Sequence, residues 1–399
     1  MCEAAAESLF TGLRIGMSGP TVAHLTPHRY AFEPRTFFEC ESLAAAGFDV
    51  VLIAPHETNV MHNGVRVRAL PRYRNRLDRI TRLAFLCVWR ALREKPEVFH
   101  LHEPDLLPWG LLLRLLGKRV IYDVHEDYST AALVRPWIPA WARRPLAGLV
   151  DLVTAVARRS FHIVIAEKYY ARLFPGSLEV LNYARLEEFG DLLEFAREFP
   201  REGGPRLLYT GGVTDSRGGR HHLRLLETLP EDAAMLIIGH CGMADLAAEL
   251  RRHAAQDARL ELHIDESDWI PHGEIVAAYR RPWTAGIALF PDTPHYREKE
   301  LTKFFEYMAA GLPILCSNFP VWRELVEGNG LGICVDPEDP EAAAEAALWL
   351  HTHPEEAQAM GERGRRLVRE KFNWESQAEV LIAFYRRILG QEQGVLRRV

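Results

Sequence analysis

The sequence predicts an α/β protein made of two doubly wound parallel-sheet domains, and three observations support this fold class. Short β-branched runs alternate with longer amphipathic stretches in the first half of the chain. The same alternation begins again after the charged, Pro/Gly-rich stretch Glu198–Arg206. The 399 residues are enough for two or three domains of about 150 residues each. Strands that alternate with helices in this way form parallel sheets covered by helices on both faces.

The first half of the chain predicts a Rossmann-like domain at residues 1–200. Its strands are predicted at Leu13–Met17, Asp49–Ala54, Gly64–Ala69, Val98–His102, Arg119–Val124, Phe161–Ala166 and Leu178–Leu181. Between them, apolar residues at helical spacing predict helices that include Glu33–Ala46, Leu77–Glu94 and Trp141–Ser160.

The second half predicts another Rossmann-like domain at residues 201–375. Its strands are predicted at Arg206–Thr210, Ala234–Ile238, Leu260–Ile264, Ala285–Phe290, Pro313–Cys316 and Gly332–Val335. Ligands of such sheets bind outside the carboxyl ends of the strands, so we expect a central cleft lined by the loops that follow them. An apolar stripe within residues 376–399 predicts a last helix that packs back on the first domain. Core packing is favoured over a partner-binding face for this stripe.

Composition excludes several functional classes. The net charge of −6 does not indicate nucleic-acid binding. The six cysteines contain no Cys-x-x-Cys pair, which argues against a zinc or redox motif and favours a reducing compartment. There is no signal-peptide pattern and no apolar run of about 18 residues. We therefore expect a cytoplasmic protein whose membrane contact, if any, is peripheral at the inner face.

The stretch Pro71–Lys95 has two interpretations. It mixes seven Arg and one Lys with Leu, Phe and Trp89. Such a helix can lie on anionic lipid, which would suit a lipid-linked acceptor. It can also bury its apolar stripe in the core and leave its arginines in solvent, and this second interpretation is favoured.

The segment from Pro294 to Leu325 predicts an anion site. Thr302 is a candidate cap for a helix over Lys303–Ala310, which Gly311 ends. A buried strand follows, so the helix begins at the ligand edge of the sheet with free backbone N–H groups. Such a helix N-terminus favours a diphosphate, and Lys303 adds a cation in the first turn.

Two glutamates flank this helix start. Glu306 lies one turn after Thr302, where its carboxylate can accept hydrogen bonds from a ribose diol. The alternative is a solvated carboxylate, but the apolar neighbours of Glu306 make that less favourable. Glu298 precedes the helix, where the sugar of a nucleotide sugar would lie. It can equally belong to a charged surface run with Lys299 and Glu300.

A second phosphate-binding element is indicated where the strand Arg206–Thr210 ends. Gly211 and Gly212 allow the backbone to approach a phosphate closely, and Arg217 supplies a guanidinium for its oxygens. The glycine pattern differs from Gly-x-Gly-x-x-Gly, so a structural turn is an equally good interpretation.

Several stretches resemble the retaining family 4 glycosyltransferases, which have the GT-B fold. In the second half they are YTGGVTDSRGG, LTKFFEYMAAGLPILCSNFPVWRELVE, GICVDPEDPEAAAEA and MGERGRRLVREKFNWE. The first half contributes PRTFFECESLAAAGFDVVLIAP, HLHEPDLLPWG and VIYDVHEDY. The resemblance implies transfer of a hexosyl or N-acetylhexosaminyl group from a nucleotide diphosphate sugar to a hydroxyl acceptor, with retention. The acceptor can be a sugar, a lipid-linked sugar or a small metabolite.

The resemblance also implies roles for individual residues of the second half. Glu306 would hold the nucleotide ribose as the second member of a Glu-x7-Glu element, with Glu298 as the first, near the donor sugar. Arg217 and Lys303 would contact the diphosphate. The backbone around Gly211, Gly212, Leu301 and Thr302 would meet the phosphates. Gly212 stands where many family members have Arg, and the usual Gly-Phe-Gly between the glutamates is replaced by KELTKFF.

In the first half, His125 matches a histidine that faces the sugar and the acceptor. The alternative for His125 is a strand-end histidine satisfied by neighbours. Glu126 and His102 are candidates to line the same region, with structural hydrogen bonding at least as good an explanation. Arg35 is a candidate acceptor or phosphate contact, against a surface ion pair as its alternative.

The chemistry expected from this pattern needs no metal and no cofactor. No Asp-x-Asp motif is apparent, so protein cations would stabilise the leaving diphosphate instead of a divalent ion. The departing phosphate would itself accept the proton of the acceptor in a front-face reaction. Two alternatives remain: a catalytically silent glycosyltransferase-like subunit that binds a nucleotide or a partner, and another GT-B enzyme such as a sugar-nucleotide epimerase or a phosphorylase.

Overall fold

A computed structural model describes residues 19–27, 31–128, 138–194, 198–200, 202–267 and 269–391 of the chain. The polypeptide forms two compact units. Unit 1 combines Met1–Leu181 with Gln377–Val399, and unit 2 is the continuous segment Asn182–Ser376. Within the described ranges, no helix is both long and apolar enough to span a bilayer.

Unit 1 contains an eight-stranded sheet. Its strands are β1 (Thr21–Leu25), β2 (Asp49–Pro55), β3 (Val60–His62), β4 (Val65–Leu70), β5 (Val98–Leu101), β6 (Arg119–Val124), β7 (His162–Ile165) and β8 (Leu178–Glu179). Their order across the sheet is β3-β4-β2-β1-β5-β6-β7-β8. Strands β3 and β4 are antiparallel, and the other described pairs are parallel.

Two strands of this sheet differ from the sequence prediction. The predicted strand Leu13–Met17 lies outside the described residues, and the central strand is Thr21–Leu25. Strand β3 was not predicted either. It forms a hairpin with β4 through Asn63 and Gly64, which have φ values of 46° and 78°. An Asn-Gly pair with positive φ at both positions is typical of the tight turn that joins two antiparallel strands.

The helices of unit 1 cover the two faces of the sheet. They are α1 (Pro34–Ala45), α2 (Arg76–Asp78), α3 (Ala84–Arg93), α4 (Leu107–Leu115) and α5 (Ala140–Ser160), with a π-helical turn at Arg79–Leu83 between α2 and α3. Short 3-10 turns lie at Pro104–Leu106 and Lys168–Arg172. The predicted helix Leu77–Glu94 is thus three consecutive helical segments. One face of this run packs into the core through Leu83, Cys87 and Val88.

Unit 2 contains a six-stranded, fully parallel sheet among its described residues. The strands are β9 (Arg206–Thr210), β10 (Ala234–His240), β11 (Leu260–Asp265), β12 (Ala285–Ala288), β13 (Ile314–Ser317) and β14 (Gly332–Val335). Their order is β11-β10-β9-β12-β13-β14. The chain therefore builds outward from β9 in one direction and later in the other. The carboxyl end of β9 is the topological switch point, where doubly wound sheets bind ligands.

The helices of unit 2 follow the predicted alternation. They are α6 (Gly219–Thr228), α7 (Ala244–Gln256), α8 (His272–Tyr279), α9 (Pro294–Arg297), α10 (Thr302–Ala310), α11 (Pro320–Val326), α12 (Pro340–Thr352) and α13 (Pro354–Glu370). The last helix, α14 (Trp374–Ile388), begins in unit 2 and ends in unit 1. Short 3-10 turns lie at Leu186–Glu188, Gly190–Leu193 and Asp215–Arg217.

Residues 182–194, which the sequence prediction assigns to the first domain, pack with unit 2. Ala184 forms a parallel bridge with Asn373. The ring of Phe189 is buried, with its centroid 5.8 Å from that of Tyr279. The compact units therefore divide after Leu181, ahead of the Pro/Gly-rich stretch that was expected to separate the domains.

Candidate functional site

The loop after β9 brings backbone close to the switch point of the unit 2 sheet. Gly211 has a φ of +96°, a conformation that L side chains rarely adopt. Gly239, at the end of the neighbouring strand, passes so close that a Cβ there would overlap the carbonyl oxygen of Gly211. The hydroxyl of Tyr209 donates to the carbonyl of Gly212 over 2.6 Å, and this hydrogen bond holds the loop against the end of β9. Two strand ends are therefore packed backbone to backbone at this point.

The guanidinium of Arg217 lies beside Gly212. The short 3-10 turn Asp215–Arg217 returns the chain toward the loop, and Arg217 donates through Nε to the Tyr296 hydroxyl over 2.9 Å. A Cβ at Gly212 would clash with Nη1 of Arg217. The guanidinium thus occupies the space that a side chain at position 212 would need. Position 212 lacks the Arg of many family members, and Arg217 places a guanidinium beside that position instead.

Helix α10 begins at the same edge of the sheet, but its cap differs from the prediction. The N-cap is Leu301, which has no side-chain cap hydrogen bond, and Thr302 is the exposed first residue of the helix. The predicted capping role of Thr302 is therefore wrong. Because no side chain caps this end through a described contact, its first backbone N–H groups are available to an anion.

Lys303 is the most unusual side chain of this region. It is only 8% exposed, and its Nζ has no hydrogen-bond partner among the described residues. Nζ lies 3.6 Å from the ring centroid of Tyr209, beneath the Gly211 loop. Burial, together with the charge of Arg217, holds the pKa of Lys303 well below its usual range. A buried ammonium needs an acceptor, and a phosphate oxygen at the loop would supply one.

Glu306 lies one turn further along α10 and is held by two neighbours. The Tyr279 hydroxyl donates to its Oε2 over 2.7 Å, and Nε2 of His272 lies 3.2 Å from its Oε1. Burial alone would raise the pKa of Glu306, but the hydrogen bond and charge of His272 hold it below its ordinary value. Glu306 is therefore a preoriented carboxylate at neutral pH.

His272 connects Glu306 to a second carboxylate. Its Nδ1 lies 3.4 Å from Oε2 of Glu188. Burial lowers the pKa of His272, but the hydrogen bond to Glu306 and the charges of Glu306 and Glu188 together raise it to about 9. The imidazolium form thus bridges two carboxylates, and both of its N–H groups are engaged.

Glu298 follows the short helix α9 and is half-buried. The segment around it is anchored, because the indole Nε1 of Trp322 donates to the carbonyl of Lys299 over 2.6 Å. The structure thus places Glu298 in a fixed turn just before the start of α10. Its predicted position ahead of the helix agrees with this placement, whereas its contact with a donor sugar stays a prediction.

Four side chains of this site were not predicted from the sequence: Tyr209, Tyr279, His272 and Tyr296. They come from three elements, β9, α8 and α9, and the two on α8, Tyr279 and His272, are 27 and 34 positions from Glu306. Periodicity in the sequence identifies them only as residues of a strand or helix. The exposed Trp269, whose ring lies 5.0 Å from that of His240, adds an aromatic surface near the end of β10.

In unit 1, His125 directly follows β6 and is oriented by Asp123. The Nε2 of His125 lies 2.7 Å from Oδ2 of Asp123, and the histidine side chain is 5% exposed. Burial would raise the pKa of Asp123, but Arg35 and His125 hold it well below its usual range. An ionised carboxylate only accepts hydrogen bonds, so Nε2 of His125 carries the proton.

Arg35 lies inside unit 1. It is 6% exposed and donates to both carboxylate oxygens of Asp123, over 2.9 and 2.8 Å, and to the carbonyl of Val180 over 2.6 Å. The surface ion pair considered for Arg35 is therefore a buried, bidentate one. This geometry does not support direct contact with an acceptor. It supports a positioning role through Asp123.

His102 is also buried and belongs to a chain of histidines. Its Nε2 lies 2.9 Å from Nδ1 of His24, and its Nδ1 lies 3.4 Å from Asp123. Burial lowers the pKa of His102, so the neutral ring prevails. Direct acceptor contact by His102 is thus not supported either, whereas Glu126 is half-buried at the end of β6 and stays a candidate.

Two sets of buried or half-buried residues in unit 1 have ligand atoms close enough to hold a cation. One set is His24, Glu39, His100 and His102, and the other is His102, Asp123 and His125. The guanidinium of Arg35 already lies 3.3 Å from Glu39 and 2.8 Å from Asp123. Since this cation neutralises both carboxylates, the arrangement favours a hydrogen-bonded network over a metal ion.

Two family models match the chain. The model described as glycosyl transferases group 1 matches residues 193–367, and the glycosyl transferase 4-like domain matches residues 39–175. A curated relative, 2-deoxystreptamine glucosyltransferase of Streptomyces kanamyceticus, is 23% identical over 81% of this chain and 88% of its own length.

Solved structures show the same fold. Sucrose-phosphate synthase from Thermosynechococcus elongatus has a TM-score of 0.72 at 17% identity, covering 94% of this chain and 100% of that one. The Anabaena protein HepE, solved in complex with UDP-glucose, has a TM-score of 0.66 at 10% identity, covering 92% and 100%.

The two parallel-sheet units and these matches define the class: the protein is a glycosyltransferase with the GT-B fold. Within this class, the two family models together support a glycosyltransferase family 4-like protein.

Proposed function

We propose that this protein transfers a hexosyl or N-acetylhexosaminyl group from a nucleotide diphosphate sugar to a hydroxyl acceptor, with retention and without a metal ion. The observation that carries this proposal is the buried Nζ of Lys303. It has no hydrogen-bond acceptor among the residues that the structure describes, and it lies beneath the Gly211 loop and one helical turn from Glu306. A diphosphate is the ligand whose charge and oxygens match this arrangement.

Breaking the bond between sugar and phosphate places negative charge on the leaving diphosphate. Arg217, Lys303 and the first N–H groups of α10 would stabilise that charge, with the backbone of Gly211 and Gly212 packed against it. Leu301 and Thr302 would contribute backbone rather than side-chain contacts. Donors that are already fixed before reaction lower the barrier most, because no reorganisation is needed when the charge develops. These cations would take the place of a divalent ion.

Glu306 would accept hydrogen bonds from the two ribose hydroxyls. Its carboxylate is already oriented by Tyr279 and His272, so little side-chain entropy is lost on binding. Glu298, held in the turn before α10, would contact the donor sugar. The exposed ring of Trp269 would offer a stacking surface to the base.

His125 would act on the hydroxyl groups of the substrates from unit 1. Asp123 accepts a hydrogen bond from Nε2–H of His125, and in the tautomer that carries its only ring proton on Nε2, Nδ1 is an acceptor. This nitrogen would hold a hydroxyl of the donor sugar or of the acceptor, while a departing phosphate oxygen takes the proton in a front-face reaction. Glu126 would assist in orienting the acceptor.

A thermal-shift panel of UDP-, GDP-, ADP- and dTDP-sugars tests the donor site. At a hundredfold excess over Kd, the true donor should add about 2.7 kcal/mol to the free energy of unfolding. Glu306→Ala should abolish this shift, with or without a chelator in the buffer. Absence of a shift with every nucleotide would contradict the proposal.

The anomeric configuration of the product, read by NMR, tests retention. A product of inverted configuration would overturn the front-face step but leave the donor site intact. A nucleotide that binds without any transfer to hydroxyl acceptors would instead favour a catalytically silent subunit.

A further inference from the structure

Three neighbouring helical segments of unit 1 carry most of the large hydrophobic side chains that are exposed among the described residues. Twelve of the eighteen large hydrophobic side chains that are exposed among the described residues lie within residues 76–93, 107–116 and 140–160. Helix α4 packs against both α3 and α5. The rings of Phe85 on α3 and Trp109 on α4 are 5.6 Å apart, which joins the two helices at the surface. We call the outer faces of α3, α4 and α5 the apolar-basic surface.

Helix α5 exposes several large apolar side chains to solvent. Trp141, Leu149, Leu152 and Val156 follow one helical stripe, and all four are exposed, Trp141 by 82%. The buried residues of α5 are only Ala147 and Ala157. An amphipathic helix of a globular protein normally turns its large apolar residues toward the core. Here the buried residues are small and four large apolar residues are exposed, while Leu146 and Val153 are partly buried against the core.

The other two helices continue the same pattern. On α3, Phe85, Trp89 and Leu92 form an outward stripe at helical spacing, although the opposite face of this helix is already buried in the core. At the end of α4, Leu115 is 85% exposed beside the exposed Leu116. The helical run within Pro71–Lys95 therefore packs one apolar stripe inward, as the favoured interpretation predicts, and leaves a second apolar stripe exposed.

Positive charge surrounds these apolar side chains. Exposed arginines include Arg93, Arg114, Arg144, Arg158 and Arg159. Most nearby acids are already neutralised, because Asp78 pairs with Arg82, Asp105 with Arg79 and Glu94 with Arg66 and Arg68. The chain as a whole carries −6, so this positive region runs against the overall charge.

We propose that the apolar-basic surface docks on an anionic phospholipid bilayer. Protruding leucine and tryptophan side chains enter the headgroup boundary, and the surrounding arginines contact lipid phosphates. A second copy of this chain is the less favourable occupant, since a two-fold contact would bring the same arginines face to face. A bilayer needs no matching pocket for side chains that stand this far out. This inference is independent of the proposed transferase chemistry.

Vesicle co-sedimentation of the full chain, without any nucleotide sugar, tests the proposal. One vesicle preparation is phosphatidylcholine alone, and the other contains about one-third phosphatidylglycerol, whose surface charge attracts basic residues. The protein should bind the anionic vesicles, bind neutral ones at least about tenfold more weakly, and release as salt increases.

Two double variants locate the contact. Leu115→Glu with Leu152→Glu removes apolar insertion, and Arg144→Glu with Arg159→Glu reverses charge. Each should weaken binding by at least about tenfold, since one buried leucine or one lipid-facing arginine contributes about a factor of ten. Met61→Glu changes an exposed hydrophobic residue of the same unit outside the three helices and should leave binding unchanged.

Three results would overturn the proposal. The first is the absence of binding to anionic vesicles by a protein with normal thermal unfolding. The second is an equal loss of binding in Met61→Glu. The third is a dimer in light scattering that Leu115→Glu with Leu152→Glu dissociates, which would assign the surface to a second copy. None of these results depends on nucleotide binding, so they do not test the proposed donor site, which the thermal-shift panel tests separately.

Discussion

Lys303 is a buried ammonium that faces an aromatic ring and a glycine loop, with no acceptor among its described neighbours. A side chain in this situation destabilises the protein that carries it unless a ligand provides compensation. The lowered pKa of Lys303 expresses the same cost, because burial disfavours its charged form. Replacing Lys303 with an apolar residue should therefore raise the stability of the ligand-free protein and weaken nucleotide binding.

We predict that Lys303→Met abolishes the nucleotide-induced thermal shift and raises the free energy of unfolding of the ligand-free protein by about 1 kcal/mol, since an apolar side chain replaces an unpaired charge. The pKa of Lys303 is lower in the folded than in the unfolded chain, so the wild-type penalty fades as pH rises toward the ordinary lysine value. The gain from Lys303→Met should therefore shrink at alkaline pH. Urea unfolding measures both effects.

Lys371→Met is the control, since Lys371 is exposed and should change neither property. A Lys303→Met protein that is less stable and still binds nucleotide would contradict the assignment.

Asp123 is predicted to act through His125 rather than on substrate. Asp123→Asn removes the carboxylate that fixes the proton on Nε2, so kcat should fall by about a hundredfold while KM for the nucleotide sugar stays unchanged. The variant also loses a charge that pairs with Arg35, and its free energy of unfolding should fall by about 3 kcal/mol.

Initial rates per folded molecule separate the two effects of Asp123→Asn, and NMR of the imidazole reports the tautomer of His125. Asp151→Asn on the outside of α5 is the matched control. If kcat per folded molecule is normal, the positioning role is wrong.

The sequence was sufficient to find residues whose neighbours in the chain define their role. Lys303 and Glu306 lie on one helix, so a helix start and its spacing locate both. The burial of Arg35 was not predictable because its partner Asp123 is 88 positions away, and nothing in the sequence indicates that the two meet in the interior. Contacts between distant elements were thus the part of the site that remained hidden.

At the scale of elements, glycines set how closely the β9 and β12 loops approach. Gly218 has a φ of +75°, and a Cβ there would overlap the carbonyl oxygen of Leu289. We predict that Gly218→Ala lowers the free energy of unfolding by at least about 2 kcal/mol, from backbone strain and overlap together. It should also weaken nucleotide binding, because Arg217 precedes this residue.

Gly273→Ala is the matched control for Gly218→Ala. It lies in the first turn of α8 with no atom near the added Cβ, so its stability should rise slightly. Urea unfolding compares the two variants. Equal stabilities would show that the loop can relax and that the close approach is not required.

Most strands were predictable because parallel strands are short, apolar and separated by helices of regular spacing. All six predicted strands of unit 2 are present, with ends shifted by a few residues. The exceptions in unit 1 are the three-residue strand Val60–His62 and the strand Thr21–Leu25, where a histidine interrupts the apolar run. That histidine, His24, is buried against His102 and Tyr385, a setting that only the folded chain reveals.

At the scale of the whole molecule, unit 1 is assembled from two separate parts of the chain. Tyr385 on α14 is fully buried, and its hydroxyl lies 2.7 Å from Nδ1 of His100 and 3.2 Å from Nε2 of His24. Unit 2 is built from one continuous segment. The stability of unit 1 therefore depends on residues that follow unit 2 in the sequence.

We predict that Tyr385→Phe lowers the stability of unit 1 by about 1 to 3 kcal/mol, because it leaves buried histidine nitrogens without their partner. Hydrogen exchange should show faster exchange in β1 and β5, with β9 and β12 unchanged. Nucleotide binding should be retained, and the exposed Tyr73→Phe serves as control. An equal increase of exchange rates in the sheets of both units would contradict the prediction that Tyr385 stabilises unit 1 alone.

The position of Tyr385 has a consequence during synthesis on the ribosome. Translation proceeds through all of Asn182–Ser376 before Tyr385 emerges, so the second-made unit has a complete set of core residues first. Strands β1 and β5 are translated early, but their buried residues His24 and His100 lack the Tyr385 hydroxyl until α14 has been synthesised. We therefore expect the core of unit 1 to be completed after that of unit 2, opposite to the order of synthesis, so that its early segment exposes apolar surface for longer.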